Sequence, residues 1–147
     1  MSIGGAATVM SKLSYIDSGV LINAFRGDSE VSLQTLLILD DPDRQFASSP
    51  FVQLETLPKC IYQRQIAEQD FYQTFFDNVK YWANDIVSII AQAQTIAGQY
   101  GIAGMDALHI AAALSIGAEE FITTEKKTKP MFRVTELQMI SLTFGLS

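Results

Sequence analysis

Apolar positions along the chain fall into two kinds of run: short blocks that end at an acid or a small polar residue, and longer stretches with a three-to-four residue rhythm. Leu13 to Ile16 is the first short block. It ends at Asp17, and Val20, Leu21, Ile22, Ala24 and Phe25 follow, which predicts a buried strand, an acid at its tip and a helix starting at once. Arg26-Gly27-Asp28 breaks that helix, Val31 to Leu39 predicts a second one that is apolar on most faces, and Asp40-Asp41-Pro42-Asp43 is a turn. Gln45 to Ser48 predicts another strand, after which Ser49 or Pro50 opens a helix carrying Val52, Leu54, Glu55 and Leu57. Pro58 should kink or split this helix just beyond Glu55, because proline removes a backbone hydrogen bond and clashes with the preceding turn at about 3 kcal/mol.

Further along, Phe71, Tyr72, Phe75 and Phe76 recur at helical spacing, with Tyr81 and Trp82 shortly after. Such a stripe reads first as core and second as a surface for a partner. Asp85 to Tyr100 is the clearest amphipathic helix, with Ile86, Ile89, Ile90, Ala93, Ile96 and Ala97 on one face and Gly101 as its stop. The stretch Gly104 to Glu125 then combines three elements. Asp106 opens a run that is apolar almost all round, the pattern of a buried helix; Gly117 ends it; and Glu120 to Thr124 predicts a short buried strand. Glu125 falls where the carboxyl end of that strand meets a loop. Gln138 to Leu142 predicts a last strand. Strands separated by helices pair in parallel through right-handed crossovers, so the expected architecture is a three-layer α/β/α domain.

Composition narrows the class. A chain of 147 residues, 48% hydrophobic and 18% charged, suits one compact domain and excludes a disordered chain. The expected division is a flexible tail over residues 1–12 and a single domain over 13–147. The lone Cys60 forms no internal disulfide and joins no zinc-like cluster, which fits a reducing, cytoplasmic setting. The N-terminus lacks a basic leader with an apolar core, and no stretch approaches the roughly 18 apolar residues of a membrane span, so neither secretion nor a membrane partner is expected. The net charge of -6 counts against nucleic acid, whose phosphates are bound by clustered cations. Two divalent cations would change it to -2. Lys126, Lys127, Lys129 and Arg133 also follow Glu125 directly, and they read equally as a solvated loop and as a phosphate contact.

Four acids remain as candidate chemistry. Strand-tip Asp17 and Glu125, with helical Glu55 and Asp106, could converge at the carboxyl edge of the sheet. Oxygen-only donors suit hard cations such as Mg2+ or Mn2+, which acidify and orient a water for attack on phosphorus. Each acid also has a plain reading: Asp106 as an N-cap, Glu55 as a surface residue, Glu125 as part of a solvated charge run. Asp17, closing an apolar strand, is harder to dismiss. His109, three residues after Asp106, reads as a satisfied core histidine rather than a general base. No serine, histidine and aspartate arrangement, P-loop or GxGxxG supports another catalytic class. A phosphoryl-transfer or receiver domain using Asp17 is the weaker alternative, since Gly19 stands where the haloacid dehalogenase pattern has a second aspartate.

YIDSGVLIN (15–23), SPFVQLETL (49–57) and GMDALHIAAALSIGAEEFITTE (104–125) resemble the successive motifs of PIN domains, the metal-dependent ribonuclease fold that includes the VapC-like toxins. The resemblance runs from Leu13 nearly to the end of the chain. It implies a central parallel sheet of about five strands, with Asp17, Glu55 and Asp106 as the acidic core of an Mg2+ or Mn2+ site. Glu125 takes the position where the family often has aspartate, and Ser18 and Thr123 match small polar positions that support the site. The implied activity is hydrolysis of RNA phosphodiester bonds, leaving a 5'-phosphate and a 3'-hydroxyl. The implied setting is the toxin of a type II toxin-antitoxin pair, with a cognate antitoxin and a homodimer as partners. A non-catalytic PIN-like module binding RNA or a protein is the alternative.

Overall fold

Five short strands, the first three each followed by helices, assemble into one parallel sheet in this computed structural model, which describes residues 11–143. Most of the expected tail, over 1–10, and the last residues, 144–147, lie outside the described residues. The chain runs β1 (Lys12–Ile16), α1 (Ser18–Arg26), α2 (Glu30–Leu39), β2 (Arg44–Ser48), α3 (Pro50–Tyr62), α4 (Ile66–Asp77), β3 (Tyr81–Trp82), α5 (Ile86–Tyr100), α6 (Gly104–Ser115), β4 (Glu120–Thr123), a 3-10 turn (Pro130–Arg133) and β5 (Gln138–Ser141). β1 therefore begins at Lys12, one residue inside the expected tail.

The sheet order is β3-β2-β1-β4-β5 with every pair parallel. Successive strands step outward from β1 to one side through β2 and β3, then the chain returns to the other side of β1 at β4. That reversal makes the carboxyl ends of β1 and β4 the switch point of the sheet, where open α/β folds place ligands. The central strands are buried on both faces, as their unbroken apolar runs require: Tyr15, Ile16, Phe121 and Ile122 are fully buried and pair in register, Tyr15 with Phe121 and Ile16 with Ile122. Ser14, Thr123 and Glu120 are the buried polar exceptions, and Glu120, a carboxylate at the amino end of β4, is held by Ser14 Oγ at 2.6 Å and Arg44 Nε at 2.7 Å.

The helices begin and end where local chemistry allows. Asp17, Ser29 and Asp85 cap α1, α2 and α5 with side-chain oxygens, and Gly27 and Gly101 close α1 and α5 in the left-handed conformation. Tyr72, Phe75 and Phe76 of the aromatic stripe are core. Tyr81 and Trp82, in contrast, are the edge strand β3 rather than a continuation of a helical stripe. The expected split at Pro58 is not found: α3 stays helical from Pro50 to Tyr62. The carbonyl that Pro58 leaves without a partner belongs to Leu54, whose side of the helix faces solvent at 67% exposure, so water can take the missing bond while Thr56 and Cys60 stay packed. Among the described residues no helix is long and apolar enough to cross a membrane.

Candidate metal centre

Asp17 stands at the junction of β1 and α1 and serves two elements at once. Its Oδ1 accepts from the Ser18 backbone N–H at 2.9 Å as the cap of α1, and its Oδ2 accepts from Thr123 Oγ1 at 2.7 Å across the end of β4. Its own N–H donates to the Ile122 carbonyl at 2.9 Å, which fastens the strand ends together. Burial pushes the Asp17 carboxyl above its ordinary value, against the pull of His109, Thr123 and the Ser18 amide. A carboxylate set in this way gains from a nearby cation.

The expected acids do not all meet. Donor atoms of Asp17, Glu55 and His109 lie within 4.8 Å of one another, and this is the one such group among the described residues. Glu55, one turn into α3, places Oε1 2.7 Å from His109 Nε2, and that hydrogen bond holds its carboxyl below the usual range. Burial alone would depress the His109 imidazole, yet the Glu55 bond and the charges of Asp17, Glu55 and Asp106 outweigh it and hold it above its ordinary value. Both ring nitrogens are occupied, since Nδ1 lies 2.8 Å from Tyr15 Oη. His109 is therefore placed as a support for Glu55 and not as a free ligand.

Asp106 sits in the first turn of α6, half-buried, while Ala103 is the N-cap, so the plain reading of Asp106 as a cap does not apply. Its partner is Lys129: Nζ lies 4.0 Å from Asp106 Oδ2 and 3.2 Å from Glu125 Oε1. The hydrogen bond to Glu125, then the charges of Glu125 and Asp106, raise the Lys129 ammonium above its ordinary value. The four acids thus form two pairs, Asp17 with Glu55 around His109, and Asp106 with Glu125 around Lys129. Thr123 supports the site through its hydroxyl, which also accepts from the Glu125 N–H at 3.1 Å, and Ser18 contributes its backbone amide. Of the basic run, Lys126 and Lys127 are exposed, whereas Arg133 Nη1 donates to the Tyr100 carbonyl at 2.8 Å and fastens the end of α5.

Carboxylate oxygens in this density suit a hard divalent cation, and Lys129 between two of them marks where positive charge is wanted. Tyr15 is the member that sequence reasoning missed. Its position two residues before Asp17, and so on the same face of the strand, was the available signal. Gly19 is a further requirement, because a Cβ there would collide with Thr124 Oγ1. Threonine is stiff at χ1, so Gly19→Ala is expected to destabilise the fold by about 1–3 kcal/mol. Urea unfolding measures this, and an unchanged midpoint would show that the end of β4 yields.

A parallel sheet with paired acids at its switch point defines an α/β protein with an acidic centre. A family model described as PIN domain matches residues 14–133, and the chain belongs to that family. No curated protein matches its sequence. Solved structures of similar fold include VapBC2 from Rickettsia felis bound to a DNA fragment from its promoter, at 16% identity and TM-score 0.64 over 86% of this chain and 96% of that one. VapBC-1 from nontypeable Haemophilus influenzae is similar at 17% identity and TM-score 0.62, covering 88% and 98%. A toxin-antitoxin complex from Klebsiella pneumoniae matches at 20% identity and TM-score 0.57, covering 78% and 88%. At such identities the likeness is one of fold.

Proposed function

We propose that this PIN domain is a metal-dependent endoribonuclease, the toxin of a toxin-antitoxin pair. The observation that carries the reading is the convergence of the Asp17 and Glu55 carboxylates at the switch point, with donor atoms within 4.8 Å. Asp17 and Glu55 would hold Mg2+ or Mn2+, and Asp106, with Glu125 beside it, would join them once the cation takes the place of the Lys129 ammonium. When bound, such a cation makes a water acidic and offsets charge building on phosphorus. Thr123 and the Ser18 amide fix the Asp17 oxygens, and His109 fixes Glu55, so the donors are set before the ion arrives.

Support for an RNA substrate comes from cations around the acids. Lys126 and Lys127 are exposed beyond β4. On the other side, a cleft of about 230 Å3 beside Glu55 is lined by Arg26 and Lys59, which the sequence reading did not single out. In the cleft Arg26 and Lys59 stand against Glu55 and Glu68, and with Lys126 and Lys127 they supply cations where a phosphate backbone would lie. An antitoxin partner accords with the toxin-antitoxin complexes of similar fold and with exposed Leu54, Ile61, Tyr62 and Ile66 along α3 and the start of α4. A homodimer belongs to the same reading.

The second reading, a non-catalytic module binding RNA or a protein, draws on Lys129, which already neutralises Asp106 and Glu125. Cleavage of a structured RNA with Mn2+, with Mg2+ and with EDTA separates the two. The enzyme reading expects cleavage that EDTA abolishes and that Asp106→Asn lowers at least tenfold. Absence of Mn2+ binding at millimolar metal favours the module.

A further inference from the structure

Beneath Glu55 the His109 imidazole continues into buried hydroxyl groups that the metal reading does not use. Ser49 Oγ lies 2.7 Å from Tyr15 Oη, Tyr15 Oη 2.8 Å from His109 Nδ1, and His109 Nε2 2.7 Å from Glu55 Oε1. We propose that Tyr15 and Ser49 are positioning residues that fix the orientation of the His109 ring and, through it, the Glu55 carboxylate at the metal centre. The inference rests on the reading of Glu55 as a metal ligand, while the line of hydrogen bonds stands on geometry.

Donor and acceptor inventory sets the direction of the line. An ionised carboxylate only accepts, so the proton between His109 and Glu55 belongs to Nε2. In a neutral ring Nδ1 is then the acceptor, and Tyr15 must donate to it. The Tyr15 oxygen is left to accept from Ser49. Glu55 comes last and is the only member with about a third of its side chain open to solvent. With the ring neutral, the direction therefore runs from the core outward to the candidate ligand.

Two features are hard to account for by packing alone. Tyr15 is fully buried in the central strand, where an aliphatic residue would fill the layer without burying a hydroxyl. Ser49 occupies the N-cap position of α3, yet it makes no cap hydrogen bond, unlike Ser29 before α2. The cap is forgone, and the hydroxyl is directed to Tyr15 instead. Ring packing completes the arrangement. Phe51 and Tyr15 meet His109 edge-on, at centroid distances of 6.2 and 5.9 Å, and Phe121 stacks on Tyr15 at 5.3 Å. Neither ring can turn without disturbing the core.

His109 is the only histidine in the chain, so 15N labelling of histidine gives a single pair of ring signals in the full-length protein. Measured above the titration range of the ring, the wild type should show one tautomer, protonated at Nε2. Tyr15→Phe, which leaves the Nε2 proton with Glu55 but removes the donor to Nδ1, should shift the Nδ1 signal downfield and weaken Mn2+ binding by about 10–100-fold. His109→Gln, whose amide can donate to Glu55 without help from Tyr15, should bind Mn2+ with no further loss when Tyr15→Phe is added. If Tyr15→Phe keeps both the wild-type Nδ1 signal and the wild-type Mn2+ affinity, the proposal is overturned. Ser49→Ala reads the same signals from the far end should Tyr15→Phe not fold. In a wild type that binds no Mn2+, the metal reading fails by itself, and the Nδ1 signal still decides whether Tyr15 holds the His109 ring.

Discussion

Asp17→Asn is expected to remove metal-dependent RNA cleavage, by a factor on the order of 10²–10³, while leaving the fold in place. Both halves of that expectation follow from what each oxygen does. Asparagine keeps a side-chain oxygen for the Ser18 amide and is as good a cap as aspartate, so α1 starts as before. The charge that would hold the cation is gone. Stability should not suffer, because the folded Asp17 carboxyl sits above its ordinary value of 3.8. Such a group favours folding only while protonated, below the unfolded value, and this contribution is lost as pH rises through the folded one. At neutral pH the charged Asp17 therefore opposes folding in the absence of metal. Metal-free Asp17→Asn should melt no lower than the wild type by calorimetry and should lose the stabilisation that added Mn2+ gives the wild type. Cleavage at the wild-type rate by a folded variant would remove Asp17 from the site.

The largest loss of stability is expected for Phe121→Ala. Phe121 is fully buried in β4, between the β1 and β5 pairings, and its ring stacks on Tyr15. Truncation removes the buried ring and leaves a cavity that neighbouring strands, tied by backbone hydrogen bonds, cannot close. The expected loss is about 3–5 kcal/mol out of a total of roughly 5–15 for a domain of this kind. Chemical unfolding followed by fluorescence measures it. A loss below about 1 kcal/mol would show that the layer between β4 and the helices collapses onto the gap. Since Tyr15 rests on the same ring, Mn2+ affinity in the folded fraction should fall as well.

Much of this architecture was legible because burial on both faces leaves a plain trace. The strands β1, β2, β4 and β5 were each expected within one residue of where they lie, and α5 and α6 end at Gly101 and just before Gly117, as their patterns suggested. Two elements were misread for the same reason, that local pattern does not contain its surroundings. Tyr81-Trp82 has too few residues to display a period of two, and it becomes a strand only because β2 offers an open edge. Pro58 breaks an isolated helix, but α3 is held by packing on one face and water on the other.

The candidate site divides along the same line. Which residues carry chemistry was written in the chain: an acid at each of two strand ends, two acids on helices, and small hydroxyls beside them. Which of them meet was decided by the sheet order and the side-chain directions in three dimensions. Asp17 and Glu55 converge with His109, whereas Asp106 and Glu125 share Lys129. Tyr15 lies 94 residues from His109 along the chain, and no local pattern can express a hydrogen bond across that separation. Periodicity reports whether a residue faces the core, and it carries no information on which distant residue it meets there; only the packed sheet supplies that.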